Sequence, residues 1–211
     1  MIGSDSQIVQ FPVRAGRQIM CFSGAMAYMS DDMTMDCQLA GLKKTFGRLA
    51  GGGSLFQITY TNNNPKDGYI GMTPDYPGVI VPINMSTTGK VIALRDSFLC
   101  ATVGLGTAMA DISGGFNPAS SAMSFFIVQT IENGEWIFLM AMGTVIKKTL
   151  RDGETILVDG NSILCFDSSV TVDVRAVGNI AAICCGGEGI FNTELTGPGT
   201  IHLQSMSIDK M

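Results

Sequence analysis

Three segments of this chain align with one another without a gap, and that self-similarity constrains the fold more than any single motif. They are GRQIMCFSGAMAYMSDDMTMDCQL from Gly16, GKVIALRDSFLCATVGLGTAMADI from Gly89 and GETILVDGNSILCFDSSVTVDVRA from Gly153, at successive offsets of 73 and 64 residues. In this frame Ile19, Ile92 and Ile156 coincide, as do Met26, Leu99 and Ile163, and Thr34, Thr107 and Thr171. Met33/Met35/Cys37, Gly106/Ala108/Ala110 and Val170/Val172/Val174 keep one face apolar or small, the alternation of a half-buried strand. Each segment reads as strand, turn, strand. A second set lies between them: GSLFQITYT from Gly53, SFFIVQTIENGEWIFL from Ser124 and GIFNTELTGPGTIHLQ from Gly189. Asn133–Gly134 and Gly197–Pro198–Gly199 are turn chemistry between apolar runs, which predicts plain hairpins in the last two.

The expected architecture is therefore all-β: three tandem β-sandwich repeats over 8–80, 81–147 and 148–208, packed as one body. The one helical candidate is a short stretch at 42–49, where Leu42, Phe46 and Leu49 share a face. Composition agrees. Hydrophobic residues make up 46% and charged residues 15% of the 211, which excludes disorder, and the 26 glycines suit many short strands joined by tight turns. The longest apolar run, Trp136–Ile146, is far short of the roughly 20 residues of a membrane-spanning helix. No signal or transit pattern is visible near the N-terminus, so a bacterial-type cytoplasmic location is expected. The net charge of −5 counts against binding nucleic acid through its phosphates.

Few residues invite chemistry. The six cysteines (Cys21, Cys37, Cys100, Cys165, Cys184, Cys185) form no C-x-x-C pair and are expected to pack as small hydrophobes. Cys184–Cys185 is the least ordinary of them. The only histidine, His202, lies between Ile201 and Leu203 in an alternating strand and is expected to point away from the core. No nucleophile elbow accompanies it, so no catalytic residue is expected. The glycine clusters Gly51–Gly53 and Gly186–Gly189 lack the strand–turn–helix context of a phosphate cradle. Asp31, Asp32, Asp152, Glu154 and Asp159 flank turns without calcium-loop spacing, and neither metal nor cofactor is expected. Met26, Met33 and Met35 fall at core positions of the first repeat. Lys43, Lys44 and Arg48 are the one basic spot, able to contact an anionic membrane or a phosphate-bearing ligand beside the stripe of Leu42, Phe46 and Leu49.

Gly24-Ala25-Met26-Ala27-Tyr28-Met29-Ser30, Gly41-Leu42-Lys43-Lys44 and Gly53-Ser54-Leu55-Phe56 resemble elements of a widespread family, as do the closing Gly187-Glu188-Gly189-Ile190-Phe191, Leu195-Thr196-Gly197-Pro198-Gly199 and Leu203-Gln204-Ser205. The family is that of the "altered inheritance of mitochondria" biogenesis protein and its uncharacterised bacterial relatives. The resemblance implies a fold similar to the tryptophan RNA-binding attenuator protein, with three sandwich units in tandem and chains associated as a ring-like trimer. It implies no established reaction. His202 stands where Trp is expected in the family's closing strand.

The function expected is that of a non-enzymatic oligomeric scaffold, a homotrimer. Its physical motive is Trp136–Ile146, which reads as buried on both faces, one of them by a neighbouring subunit. The alternative is a small-ligand or anionic-membrane-surface binding module, using Lys43, Lys44 and Arg48 or a groove between repeats.

Overall fold

The computed structural model describes residues 1–31, 33–39, 56–94, 97–103, 111–115, 128–132, 135–176 and 191–207. Among these nearly all the regular secondary structure is strand. The first stretch holds β1 (Val9–Val13), β2 (Gln18–Cys21), β3 (Met26–Met29), β4 (Met33–Leu39), β5 (Phe56–Asn62) and β6 (Gly68–Met72). The second holds β7 (Val79–Asn84), a one-turn helix α1 (Met85–Thr88), β8 (Lys90–Leu94), β9 (Phe98–Val103), β10 (Asp111–Gly115), β11 (Val128–Glu132) and the long β12 (Trp136–Leu150). The third holds β13 (Thr155–Val158), a 3-10 turn at Gly160–Ser162, β14 (Ile163–Asp167), β15 (Thr171–Ala176), β16 (Phe191–Thr196) and β17 (Gly199–Met206).

α1 was not expected from the sequence. The Asn84 side chain accepts a hydrogen bond from the Ser86 N–H at 3.0 Å and so caps its start, and Gly89 ends it in the left-handed region at φ +74. The stretch at 42–49, Asp32, Gly51–Gly53, Cys184–Cys185 and Gly186–Gly189 lie outside the described residues.

All pairing among the described residues is antiparallel. β5 lies between β2 and β4, β11 between β8 and β10, and β16 between β13 and β15. β6 lies between β1 and β3. The N-terminal half of β12 lies between β7 and β9, and β17 lies between the C-terminal half of β12 and β14. Two further pairings, β2 with β9 and β8 with β14, knit these groups into an 11-stranded sheet flanked by the three-stranded sheets β1-β6-β3 and β13-β16-β15.

Strands adjacent in sequence mostly sit in different groups. The predicted hairpin around Gly197–Pro198–Gly199 is absent: β16 pairs with β13 and β15, whereas β17 pairs with β12 and β14. The turn carries the chain across to the facing sheet, because each strand has one apolar face to bury and a sandwich buries it only from the other layer. A side chain at Gly197 would collide with the Arg151 carbonyl, which holds that crossing tight. β11 and β12 likewise do not pair with each other.

The core has three parts. Val9, Phe11 and Val13 from β1, Ile19 and Cys21 from β2, and Ile70 and Met72 from β6 form the first. Leu150, Val158, Ile163, Phe166, Leu195 and Ile201 form the third. Between them β12 is buried on both faces. Phe138 and Met140 enter the first part, while Ile137, Leu139 and Ala141 enter the second with Met20, Ala93, Ala101 and Cys165. This double burial matches the reading of the run from Trp136, but the cover comes from this chain's own strands. The neighbouring subunit that the run was taken to require is not needed. Burial also ends sooner than expected. At Gly143 (φ +69) the register shifts, β12 changes partners, and Ile146 is 56% exposed. Met35 and Cys37 on β4 are exposed rather than packed, since β4 ends its sheet.

Candidate functional site

The groove of chemical interest opens where β7, α1 and β8 face β14, β17 and the C-terminal half of β12. Strand register builds its floor. Lys147 on β12 is opposite His202 on β17, His202 is opposite Cys165 on β14, and Cys165 is opposite Ala93 on β8. These four residues share one face across four strands, and residues two positions along, Asp167 and Thr200, share it with them. The result is a cleft of about 280 Å³, lined also by Asn84, Thr88, Val91 and Trp136.

His202 is therefore not turned to solvent, as its flanking residues predicted. It is only 9% exposed, because both neighbouring strands and the helix-bearing segment cover that face. Its Nδ1 lies 3.5 Å from the Cys165 Sγ. Burial, then the Lys147 charge, push the imidazole below its ordinary value of 6.5, with Asp167 opposing. Burial, then Asp167, drive the Cys165 thiol far upward. Both groups are thus uncharged near neutral pH. An attacking cysteine needs the thiolate, and burial opposes its formation at Cys165.

The rim is polar and fixed by local bonds. Asp167 Oδ2 accepts from the Thr200 N–H at 2.7 Å. The Thr87 hydroxyl donates to the Asn84 carbonyl at 3.0 Å, and the Trp136 N–H donates to Thr102 Oγ1 at 3.1 Å. Trp136 is 42% exposed and lines the cleft with a flat apolar ring, while Lys147 is exposed and supplies a cation.

The other candidates fare differently. Lys43, Lys44 and Arg48 lie outside the described residues, as do Cys184 and Cys185. Glu154 ties down its own turn, accepting from the Arg151 N–H at 3.0 Å and pairing with Lys148 at 3.1 Å, which lowers its pKa. Asp159 Oδ1 accepts from the Asn161 N–H and caps the 3-10 turn. Among the described residues no three His, Cys, Asp or Glu side chains gather to hold a metal ion. Trp136, Lys147 and Cys165 were missed as site residues because their association depends on register between distant strands; the exposed face of a charged strand end was the one local hint.

Fold and cleft together define an all-β protein with a shallow polar groove and no helix, among the described residues, long and apolar enough to cross a membrane. The profile of the mitochondrial biogenesis AIM24 family matches residues 1–206, and the chain belongs to that family. An uncharacterised protein of Streptococcus pyogenes serotype M6 is 24% identical over 211 residues, 96% of this chain and 83% of that protein. The crystal structure of another Streptococcus pyogenes protein superposes with a TM-score of 0.74 at 22% identity, covering 99% of this chain and 93% of that one. That likeness shows the fold.

Proposed function

We propose that the chain is a non-catalytic binding protein, built as three tandem sandwich units of the attenuator-protein kind, that holds a small planar anion in the cleft where the second and third units meet. The carrying observation is that one cleft is lined by an exposed indole, an exposed ammonium group and an uncharged imidazole beside a protonated thiol. An aromatic face stacks on Trp136, a carboxylate meets Lys147, and His202 and Asn84 offer neutral hydrogen-bonding groups. The strand pattern supports the three-unit reading, since β5, β11 and β16 are each the middle strand of the same three-strand arrangement.

Equilibrium dialysis with radiolabelled benzoate tests the binding. One equivalent is expected per chain, with affinity about tenfold weaker in Lys147→Ala, the loss of one charge-assisted contact. Failure of the wild type to bind benzoate, or equal binding by the variant, would count against the proposal.

Lys43, Lys44 and Arg48 support a second reading, contact with an anionic surface through a cluster that stands out in a chain of net charge −5. Flotation with anionic liposomes tests it: the triple alanine variant is expected to float less than the wild type, and equal flotation would remove those residues from the account. Self-association as a trimeric scaffold, which the family resemblance implies, belongs to the same proposal.

A further inference from the structure

The cleft carries two charges of opposite sign, and strand register keeps them apart. Lys147, His202 and Cys165 stand in one row across β12, β17 and β14. Asp167 stands two residues beyond Cys165 on β14, where it faces Val91 of β8. With strands about 4.8 Å apart and about 3.4 Å per residue along each, the Lys147 and Asp167 backbones are about 12 Å apart. Both residues line the cleft, yet among the described residues neither forms an ion pair; the neighbouring Lys148 pairs with Glu154 instead.

Asp167 is half-buried, and only one of its oxygens is engaged within the described residues. Oδ2 accepts from the Thr200 N–H at 2.7 Å, which fixes the carboxylate in place, while Oδ1 accepts no hydrogen bond from them. Both charges are felt at the imidazole between them. Burial lowers the His202 pKa most, Lys147 lowers it further and Asp167 raises it. The group in the middle is neutral, so the cleft has one positive end and one negative end.

We infer that the cleft takes a zwitterion: a planar ring with a carboxylate at one end, for Lys147, and an ammonium group at the other, for Asp167 Oδ1. This rests on the anion reading above and narrows it. A plain anion meets Lys147 but brings a second negative charge toward Asp167, whereas a zwitterion gives each pole a charge-assisted partner. The separation of the poles favours charges at opposite ends of a ring over charges on adjacent atoms. Trp136, which also lines the cleft, supplies the apolar face for that ring.

Isothermal titration calorimetry near neutral pH tests the inference with benzoate and two para-substituted benzoates of matched shape, the 4-hydroxymethyl and the 4-aminomethyl compounds. The wild type is expected to bind the aminomethyl compound about tenfold more tightly than the hydroxymethyl one, the gain from one charge-assisted contact. Asp167→Asn, which keeps an acceptor for the Thr200 N–H, is expected to abolish that preference while binding the hydroxymethyl compound as the wild type does. Lys147→Ala is expected to weaken both compounds alike and leave their ratio unchanged. Equal binding of the matched pair by the wild type would overturn the inference, as would a preference that survives in Asp167→Asn. The wild-type comparison needs no variant, so it decides the matter even where Asp167→Asn does not fold. Benzoate bound without any gain from the ammonium group would overturn this inference and leave the anion reading standing; none of the three bound would overturn both.

Discussion

Cys165 and His202 face each other across adjacent strands, Sγ to Nδ1 at 3.5 Å, and neither group is charged near neutral pH. The sign of the histidine shift fixes a pH dependence. A base whose folded pKa lies below its unfolded value contributes its full stability above the unfolded pKa and loses it as pH falls, because the unfolded chain then binds the extra proton. Melting temperature is expected to fall between pH 7 and pH 5 in the wild type and to fall less in His202→Gln. Imidazole resonances in an NMR titration should give a midpoint under 6.5; a midpoint above it would show the ring ionised in the cleft.

Thiol accessibility follows burial. Cys21 and Cys100 are opposite one another in the β2–β9 pair, both buried, with Cys21 pushed up to about 12 by desolvation and Cys100 raised well above its ordinary value by burial, then by Cys21. Among the described cysteines, Cys37 is expected to react with a thiol reagent in the native protein, while Cys21, Cys100 and Cys165 react only after unfolding. Peptide mapping of the labelled protein distinguishes these sites, and rapid native labelling of Cys165 would contradict the neutral thiol assigned to the cleft.

Truncations along β12 separate its buried part from its exposed part. Phe138→Ala is expected to cost about 3–5 kcal/mol and Leu139→Ala about 2–5 kcal/mol, since they fill different parts of the core. Ile146→Ala is expected to change stability by under about 0.5 kcal/mol. Urea denaturation of the three variants checks the order.

Asn62 is fully buried, and its amide does what no apolar residue can. Its Nδ2 donates to the Val13 carbonyl at 2.7 Å and to the Lys66 carbonyl at 2.9 Å, while its Oδ1 accepts from the Asn64 N–H at 3.0 Å. Asn62→Ala leaves those backbone groups without a protein partner and is expected to cost about 1–3 kcal/mol in the same denaturation assay.

Much of the strand content was legible because alternation is local. Val9, Phe11 and Val13 are buried while Gln10 and Pro12 are exposed, and no distant partner is needed to read that. Which strands pair was not legible, because it is settled by closure of the sandwich across long sequence distances. Gly197–Pro198 has the composition of a hairpin turn and serves as a crossing. His202 shows the same limit on a smaller scale: between two apolar neighbours an alternating strand assigns it the opposite face, but that face is covered too, by α1 and β7. The cleft became visible only when register brought Lys147, Cys165 and His202 onto one floor. The pairing of Ile92 with Phe166 lies 73 and 64 residues along the chain from that of Ile19 with Thr102.

Trp136 is the chain's only tryptophan and it lines the cleft, so its emission reports on that site alone. Titrating the protein with benzoate while following this emission is the most direct test of the binding account. A saturable change in Trp136 fluorescence, with a midpoint shifted to about tenfold higher benzoate in Lys147→Ala, is the expected result. Emission that does not change up to millimolar benzoate, or that changes identically in the variant, would contradict it.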